Sequence, residues 1–383
     1  MSAREEGADD RELAYCATLA LARMDDTSMA LVLYENAGLG DSDDDDMLAL
    51  RGRLMKDLAE KADSTGQPGL FANASAAYRA IYEHSGGYFP AINAATTALL
   101  AGDDETAKSL AAEILRIDEI CEPGDYYAAA TAAEAHLLLE QDSQAFEAMA
   151  AAVNWPDAGI GSRASTFRQM MLIGEILPDR AESVAPLLEL LRPAPVLFYT
   201  GRMFREDEEA EAGLRGRIET ALDDLQPDVA YGALACGADI LIAEAVLARG
   251  LELNLLFPFQ LEDFIAQSVL PGGKGWIERF NACLDGATRI SFATEMGYIG
   301  DPGMFRYGST VAMGLARMRA EHLRTDAVQL AIIEQGENGA GPAGTASDVA
   351  MWRDLGHRAV IVDPGPIDRK LDAPESVEMP RDV

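Results

Sequence analysis

The chain has 383 residues, more than one domain usually holds, so two or three domains are expected. Its 31 Lys and Arg against 64 Asp and Glu leave a formal charge of −33. That argues against nucleic-acid backbones and anionic membrane surfaces as partners, and fits a solubilising role for the charge.

The four cysteines (Cys16, Cys121, Cys236, Cys283) are far apart and form no CxxC pair, so neither a zinc site nor a disulfide framework is expected. The four histidines (His84, His136, His322, His357) are not at metal-ligand spacing, and no metal is expected. Residues 1–12 are charged and expected to be a loose tail, and Glu5, Glu6, Asp9 and Asp10 leave no basic start for a signal peptide. No long uncharged apolar run suggests a membrane span, so a cytoplasmic protein is expected.

From Glu12 the chain is rich in Ala, Leu and Met at helical spacing, with almost no strand signal. Segments 12–24, 27–37, 47–62, 74–84, 90–101, 104–117, 125–140, 143–153, 162–176 and 180–190 read as helices. The acidic run 41–46 is expected to cap the helix that follows; it lacks the Gly and closing Glu of a calcium loop. Leu99-Leu-Ala-Gly-Asp103-Asp-Glu-Thr-Ala107 is echoed by Leu138-Leu-Glu-Gln-Asp142-Ser-Gln-Ala145, at an offset of 39 falling to 38 residues. Helical hairpins repeated at about this period mark tetratricopeptide-type arrays.

Tyr78-Arg-Ala-Ile-Tyr82, Tyr88-Phe-Pro90-Ala-Ile-Asn93-Ala-Ala-Thr and Ala135-His-Leu-Leu-Leu carry a resemblance over residues 15–180. The stretch resembles the TRAFs-binding region, the tetratricopeptide-like segment of apoptosis-signal-regulating kinases and bacterial relatives. That resemblance implies a regulatory scaffold for a protein partner over residues 13–190. Pro90 is then expected to start a helix and Asn93 to fix a polar contact, both in structural roles.

Pro193 and Pro195 end the helical half. Strands and helices then alternate: strands at 196–199, 229–231, 251–257, 289–292, 328–334 and 359–362, with helices at 208–225, 277–284, 305–323 and 345–355, and one after Gly237 that Gly250 ends. The expected fold is therefore an N-terminal all-α repeat domain followed, over 195–363, by an α/β doubly wound parallel sheet with a Rossmann-like layout, then a flexible tail over 364–383.

Gly272-Gly-Lys-Gly275 lacks P-loop spacing and reads as a surface loop. Gly232-Ala-Leu-Ala-Cys-Gly237 is not a dinucleotide fingerprint either, yet it is a Gly-spaced crossing from strand to helix. Small-residue loops recur after strands one, two, four and five, at Thr200-Gly201-Arg202, Gly232 to Asp239, Tyr307-Gly-Ser309 and Gly339-Ala-Gly-Pro-Ala-Gly344-Thr345. Strand carboxyl ends are where open α/β sheets bind ligands, and small residues there bring a ligand close to backbone N–H groups. Arg202 has the fork to hold a phosphate. Asp239 either caps its helix or binds a ribose hydroxyl, and Asp348 stands in the first turn of its own helix, where capping is the ordinary role. Glu244, among alanines, is costly unless used or paired.

Gly232-Ala-x-Ala-x-Gly237-Ala238-Asp239 with Glu244, Gly250 and Phe257-Pro-Phe259 resembles the SLOG superfamily over 195–363. This Rossmannoid group includes LOG phosphoribohydrolases, DprA-type proteins and nucleotide-sensing domains. Gly-Pro-Ala-Gly344-Thr345-x-x-Asp348 is similar to the LOG motif Pro-Gly-Gly-x-Gly-Thr-x-x-Glu, but the paired Gly is missing and Asp348 replaces Glu. The resemblance implies binding of a nucleotide or NAD-derived ligand. The helical-plus-SLOG pairing also resembles regulatory halves of nucleotidyl cyclases, implying a cyclase or another signalling effector as partner.

Three functions follow as expectations. The first is a signalling protein coupling ligand binding to a protein partner. The second is a hydrolase of N-glycosyl bonds in nucleotides, with Glu244 or Asp348 as catalytic carboxylate. The third is a pure scaffold with a degenerate α/β domain.

Overall fold

In the computed structural model the described residues are 10–334, 343–367 and 371. The chain divides into two compact units, Met1–Arg192 and Pro193–Val383.

The first unit is built of α1 (Asp10–Arg23), α2 (Thr27–Asn36), α3 (Asp45–Lys61), α4 (Gln67–Ser85), α5 (Tyr88–Leu100), α6 (Asp104–Ile114), the single turn α7 (Asp118–Cys121), α8 (Tyr126–Leu138), α9 (Asp142–Ala152), α10 (Ile160–Ile176) and α11 (Ala181–Leu191). Aspartates set several starts. Asp26, Asp44, Asp103 and Asp125 each accept a backbone N–H of the first turn, satisfying donors that the helix itself cannot reach. Asp44 lies in the acidic run and caps α3 as expected, at 2.9 Å from Asp46 N. α4 begins before its expected start, at Gln67, because Pro68 in the first turn needs no N–H partner. The expected helix over 104–117 stops at Ile114, and α7 follows as a separate turn.

The α5–α6 and α8–α9 hairpins are copies at a constant offset of 38 residues: Tyr88 matches Tyr126, Leu100 matches Leu138, Asp104 matches Asp142 and Ile114 matches Ala152. The left-handed residue between the paired helices is Gly102 in one copy (φ +88°) and Glu140 in the other (φ +61°). The offset of 39 read at the Leu pair is a one-residue slip, made easy by the run Leu137-Leu-Leu139. Alanines let the hairpins approach closely, with Ala91, Ala94, Ala95 and Ala98 in one core cluster and Ala129, Ala130 and Ala133 in the next. Asn93 makes its polar contact within its own helix, donating to Phe89 O at 2.9 Å. A polar chain crosses the apolar packing: Lys56 Nζ donates to Gln169 Oε1 (2.7 Å), Gln169 Nε2 donates to Glu134 Oε1 (2.9 Å), and Thr96 Oγ1 donates to the same oxygen (2.5 Å). Burial raises the Glu134 pKa, and the Thr96 and Gln169 donors pull against that rise.

The second unit runs β1 (Val196–Gly201), α12 (Glu208–Leu225), β2 (Val229–Gly232), α13 (Ala238–Ala248), β3 (Glu252–Phe257), α14 (Leu261–Ser268), α15 (Gly275–Gly286), β4 (Arg289–Phe292), α16 (Gly303–Leu323), β5 (Ala327–Ile332), α17 (Thr345–Asp354) and β6 (Arg358–Val362). All strands are parallel, in the order β4-β3-β2-β1-β5-β6. β1, β3 and β5 are nearly all buried, as continuous apolar strands require when helices cover both faces. Leu197, Tyr199, Leu253, Leu255, Val328 and Leu330 face the layer of α12, α13 and α15, and Ala331 and Ile333 face Val349 of α17. The chain winds outward from β1 to β4, then returns to the other side of β1 as β5. The strand order therefore reverses between β1 and β5, which opens a crevice at their carboxyl ends. α14 has no counterpart among the expected elements; two turns between Phe259 and Pro271 are too short for a clear period.

Candidate ligand site at the carboxyl edge of the sheet

The glycines at this edge are demanded by packing within the chain. A Cβ on Gly201 would stand 2.4 Å from Ala238 Cβ, and one on Gly232 would stand 2.4 Å from the Tyr199 ring. Gly237 has φ +94° and lies against Phe204 and the Arg202 carbonyl. The neighbouring N–H groups are engaged as well. Arg202 N donates to Ile332 O (3.1 Å), Cys236 N to Ser268 O (2.7 Å), and Ala238 N to Arg202 O (3.0 Å). These N–H groups are thus not open to a phosphate, contrary to the expectation for the small-residue loops.

Two buried aspartates supply the chemistry instead. Asp239 is the second residue of α13 and only 7% exposed. Its Oδ2 accepts from Ala235 N at 3.3 Å, so it ties down the preceding loop. Asp348, in the first turn of α17, is 3% exposed. Its Oδ2 accepts from Thr200 Oγ1 at 3.2 Å and from Ser309 Oγ at 3.1 Å. Thr200, Ser309 and Asp348 therefore meet from β1, α16 and α17. In each aspartate Oδ1 is buried without a hydrogen-bond partner among the described residues.

Burial pushes the Asp239 pKa up to about 8, against the pull of the Ala235 and Gly201 N–H groups, and the charge of Asp348 adds to the rise. Burial pushes Asp348 up to about 6, although the Ser309 and Thr200 hydroxyls pull it down. Burial thus favours the neutral, hydrogen-bond-donating form more strongly at Asp239 than at Asp348. The two acids sit on helices from opposite layers, on either side of the end of β1.

The remaining expected residues divide. Gly344 (φ +112°) caps α17, and its carbonyl accepts from Asp348 N at 3.0 Å; Thr345 opens that helix. Residues 339–342 of the same loop lie outside the described residues. Tyr307 and Ser309 lie in α16 rather than in a loop, and Tyr307 is 56% exposed. Gly308 is needed because a Cβ there would stand 2.7 Å from Pro258 Cβ.

Glu244 is turned away from this chemistry. Arg279 Nε donates to its Oε1 (2.6 Å), while Arg279 Nη2 (2.9 Å) and Arg215 Nη2 (2.5 Å) donate to its Oε2. Arg279 also pairs with Glu211 and lies over the Trp276 ring at 4.1 Å. Burial alone would raise the Glu244 pKa, but the arginine bonds overcome it and hold it low. This carboxylate ties α12, α13 and α15 together, so of the two alternatives, used or paired, the structure shows it paired.

Glu206 carries no signal in the sequence. Its Oε1 accepts from Gly275 N at 2.6 Å, placing a carboxylate of the chain itself at the start of α15. The Gly272 to Gly275 segment is therefore occupied from within by Glu206. Gly272 itself is buried against Cys236, so the segment is not purely a surface loop. Among the described residues no group of three or more His, Cys, Asp or Glu side chains is placed to hold a metal ion. No helix among them is long and apolar enough to cross a membrane.

The family described as Tetratricopeptide Repeats-Sensor matches residues 1–100. No curated protein matches the chain. Among solved structures, a MamA double mutant (RS-1) is 16% identical at a TM-score of 0.29, over 48% of this chain and 96% of that one. MamA of Desulfovibrio magneticus RS-1 gives the same identity and score, over 48% and 97%. A Thermobaculum terrenum O-GlcNAc transferase mutant is 11% identical at a TM-score of 0.22, over 83% and 75%. At such scores these likenesses say nothing about function. The family match and the hairpin copies make the first unit tetratricopeptide-like.

Proposed function

We propose that the chain is a regulatory protein whose helical unit holds a protein partner and whose α/β unit binds a nucleotide or NAD-derived ligand. One observation carries the ligand reading: two buried aspartates at the β1 and β5 carboxyl ends each have an unpartnered oxygen. A buried carboxyl oxygen without a partner is costly, and a ligand hydroxyl relieves that cost. Ribose hydroxyls suit a pair in which one acid donates and the other accepts. The tetratricopeptide-like hairpins support the partner reading, since such arrays present extended binding faces. A nucleotidyl cyclase or another signalling effector is the partner class proposed. Calorimetric titration of the intact chain with nucleotides, cyclic nucleotides and NAD derivatives tests the ligand reading. Binding by one class, lost in Asp348→Asn, supports it; no heat at millimolar ligand refutes it.

A second reading is favoured by the separation of the two pKa values, about 8 and about 6, since such pairs serve as general acid and base. In it Asp348 activates water for N-glycosidic hydrolysis of the bound nucleotide. Release of free base by the wild type but not by Asp348→Asn distinguishes this enzyme from a sensor.

A further inference from the structure

We propose that the outer edge of β4 joins two copies of this chain by antiparallel pairing of β4 with β4. β4 ends the sheet and is paired only with β3 among the described residues. Its inner edge is held by Thr288 N to Leu253 O (2.8 Å) and Ala293 N to Phe257 O (2.8 Å). The outer edge is left as a row of backbone groups. Ile290 (42%) and Phe292 (44%) are exposed on the strand, and Met296 and Ile299 are exposed just beyond it. Edge strands are ordinarily blunted by shortness, Lys, Pro, a bulge or a covering element; β4 is short, and Arg289 is its only charge. The opposite edge strand, β6, has no such exposed apolar side chain.

The sequence of the edge fits itself. Ile290 and Phe292 lie on one face of the strand by alternation. A two-fold axis at Ser291 sets Ile290 of each copy across from Phe292 of the other, and symmetry makes this contact twice. Arg289 opens the strand and Glu295 lies just past its end, both exposed. Antiparallel copies bring each Arg289 toward the Glu295 end of the other, whereas parallel copies place like charges together. The net charge of −33 on each copy opposes the association, so added salt should strengthen it. So short a strand buries little area, and the dimer is expected to be weak and concentration-dependent.

Sedimentation velocity on the intact chain, over a concentration series at ~0.15 M and ~0.5 M salt, tests this. The expected result is a monomer–dimer equilibrium shifted toward dimer by protein and by salt. Ile290→Lys, at an exposed position, should weaken dimerisation about tenfold or more with circular dichroism unchanged, and Ile290→Val should not. Hydrogen exchange at the β4 amides should slow in step with the dimer fraction. A chain that stays monomeric across the series, or a dimer indifferent to Ile290→Lys, overturns the proposal. Protection of the β4 amides in a strictly monomeric sample would place a segment of the same chain on this edge and overturn it too.

Discussion

Replacing Asp239 by Asn tests the electrostatics of the site without ligand. The Asp239 pKa is about 8 in the folded protein against an ordinary 3.8. One unit is worth about 1.36 kcal/mol, so the ionised folded state carries a penalty with a ceiling on the order of 6 kcal/mol. The sign follows from proton binding. Between the two pKa values the folded state holds more protons than the unfolded one, so stability falls as pH rises from about 4 to about 8 and levels off above. Asn has no charge to desolvate; its carbonyl takes over the Ala235 N–H, and its amide stands where Oδ1 has no partner. Asp239→Asn should therefore resemble the wild type below about pH 4 and gain stability steadily toward pH 9, by about 2–5 kcal/mol. Two units unfold in this chain, so the α/β transition is followed by fluorescence of Trp276 and Trp352, with Trp155 changed to Phe. Denaturant titrations at a series of pH values supply the difference. A difference that is flat or falling between pH 5 and pH 9 refutes a buried, raised Asp239.

Other substitutions probe the remaining assignments. Glu244→Gln should cost about 2 kcal/mol of α/β stability by leaving Arg215 and Arg279 without their anion, while ligand affinity stays within twofold by calorimetry. Gly237→Ala should cost about 3 kcal/mol in denaturant titration, because φ is +94° and the Phe204 ring would lie 2.5 Å from the new Cβ. Asp44→Ala should lower helical-unit stability by about 1 kcal/mol through loss of the α3 cap, readable as a shift in its thermal midpoint.

Apart from α14 and the separate turn α7, the succession of elements was legible because local rules decide it. Proline at 193 and 195, the continuous apolar strands and the aspartate caps all act over a few residues. The carboxyl edge was legible too, since topology alone sends the strand ends there. The roles of the residues were not. Gly201, Gly232 and Gly237 read as openings for a ligand, yet only tertiary packing reveals Ala238, Tyr199 and Phe204 filling those spaces. Glu244 looked isolated among alanines because its partners, Arg215 and Arg279, lie 29 and 35 residues away in sequence. Asp348 gained weight for the same reason: Thr200, its hydroxyl donor, is 148 residues distant.

The central claim is that the two aspartates receive a ligand between β1 and β5. Calorimetric titration of the intact wild type and of Asp348→Asn with the nucleotide and NAD-derived panel tests it most directly. The account predicts saturable binding of one ligand class, weakened tenfold or more in Asp348→Asn, in keeping with the loss of a charged hydrogen bond worth about 1.5–3 kcal/mol. No binding across the panel, or equal affinity in the wild type and Asp348→Asn, would contradict it.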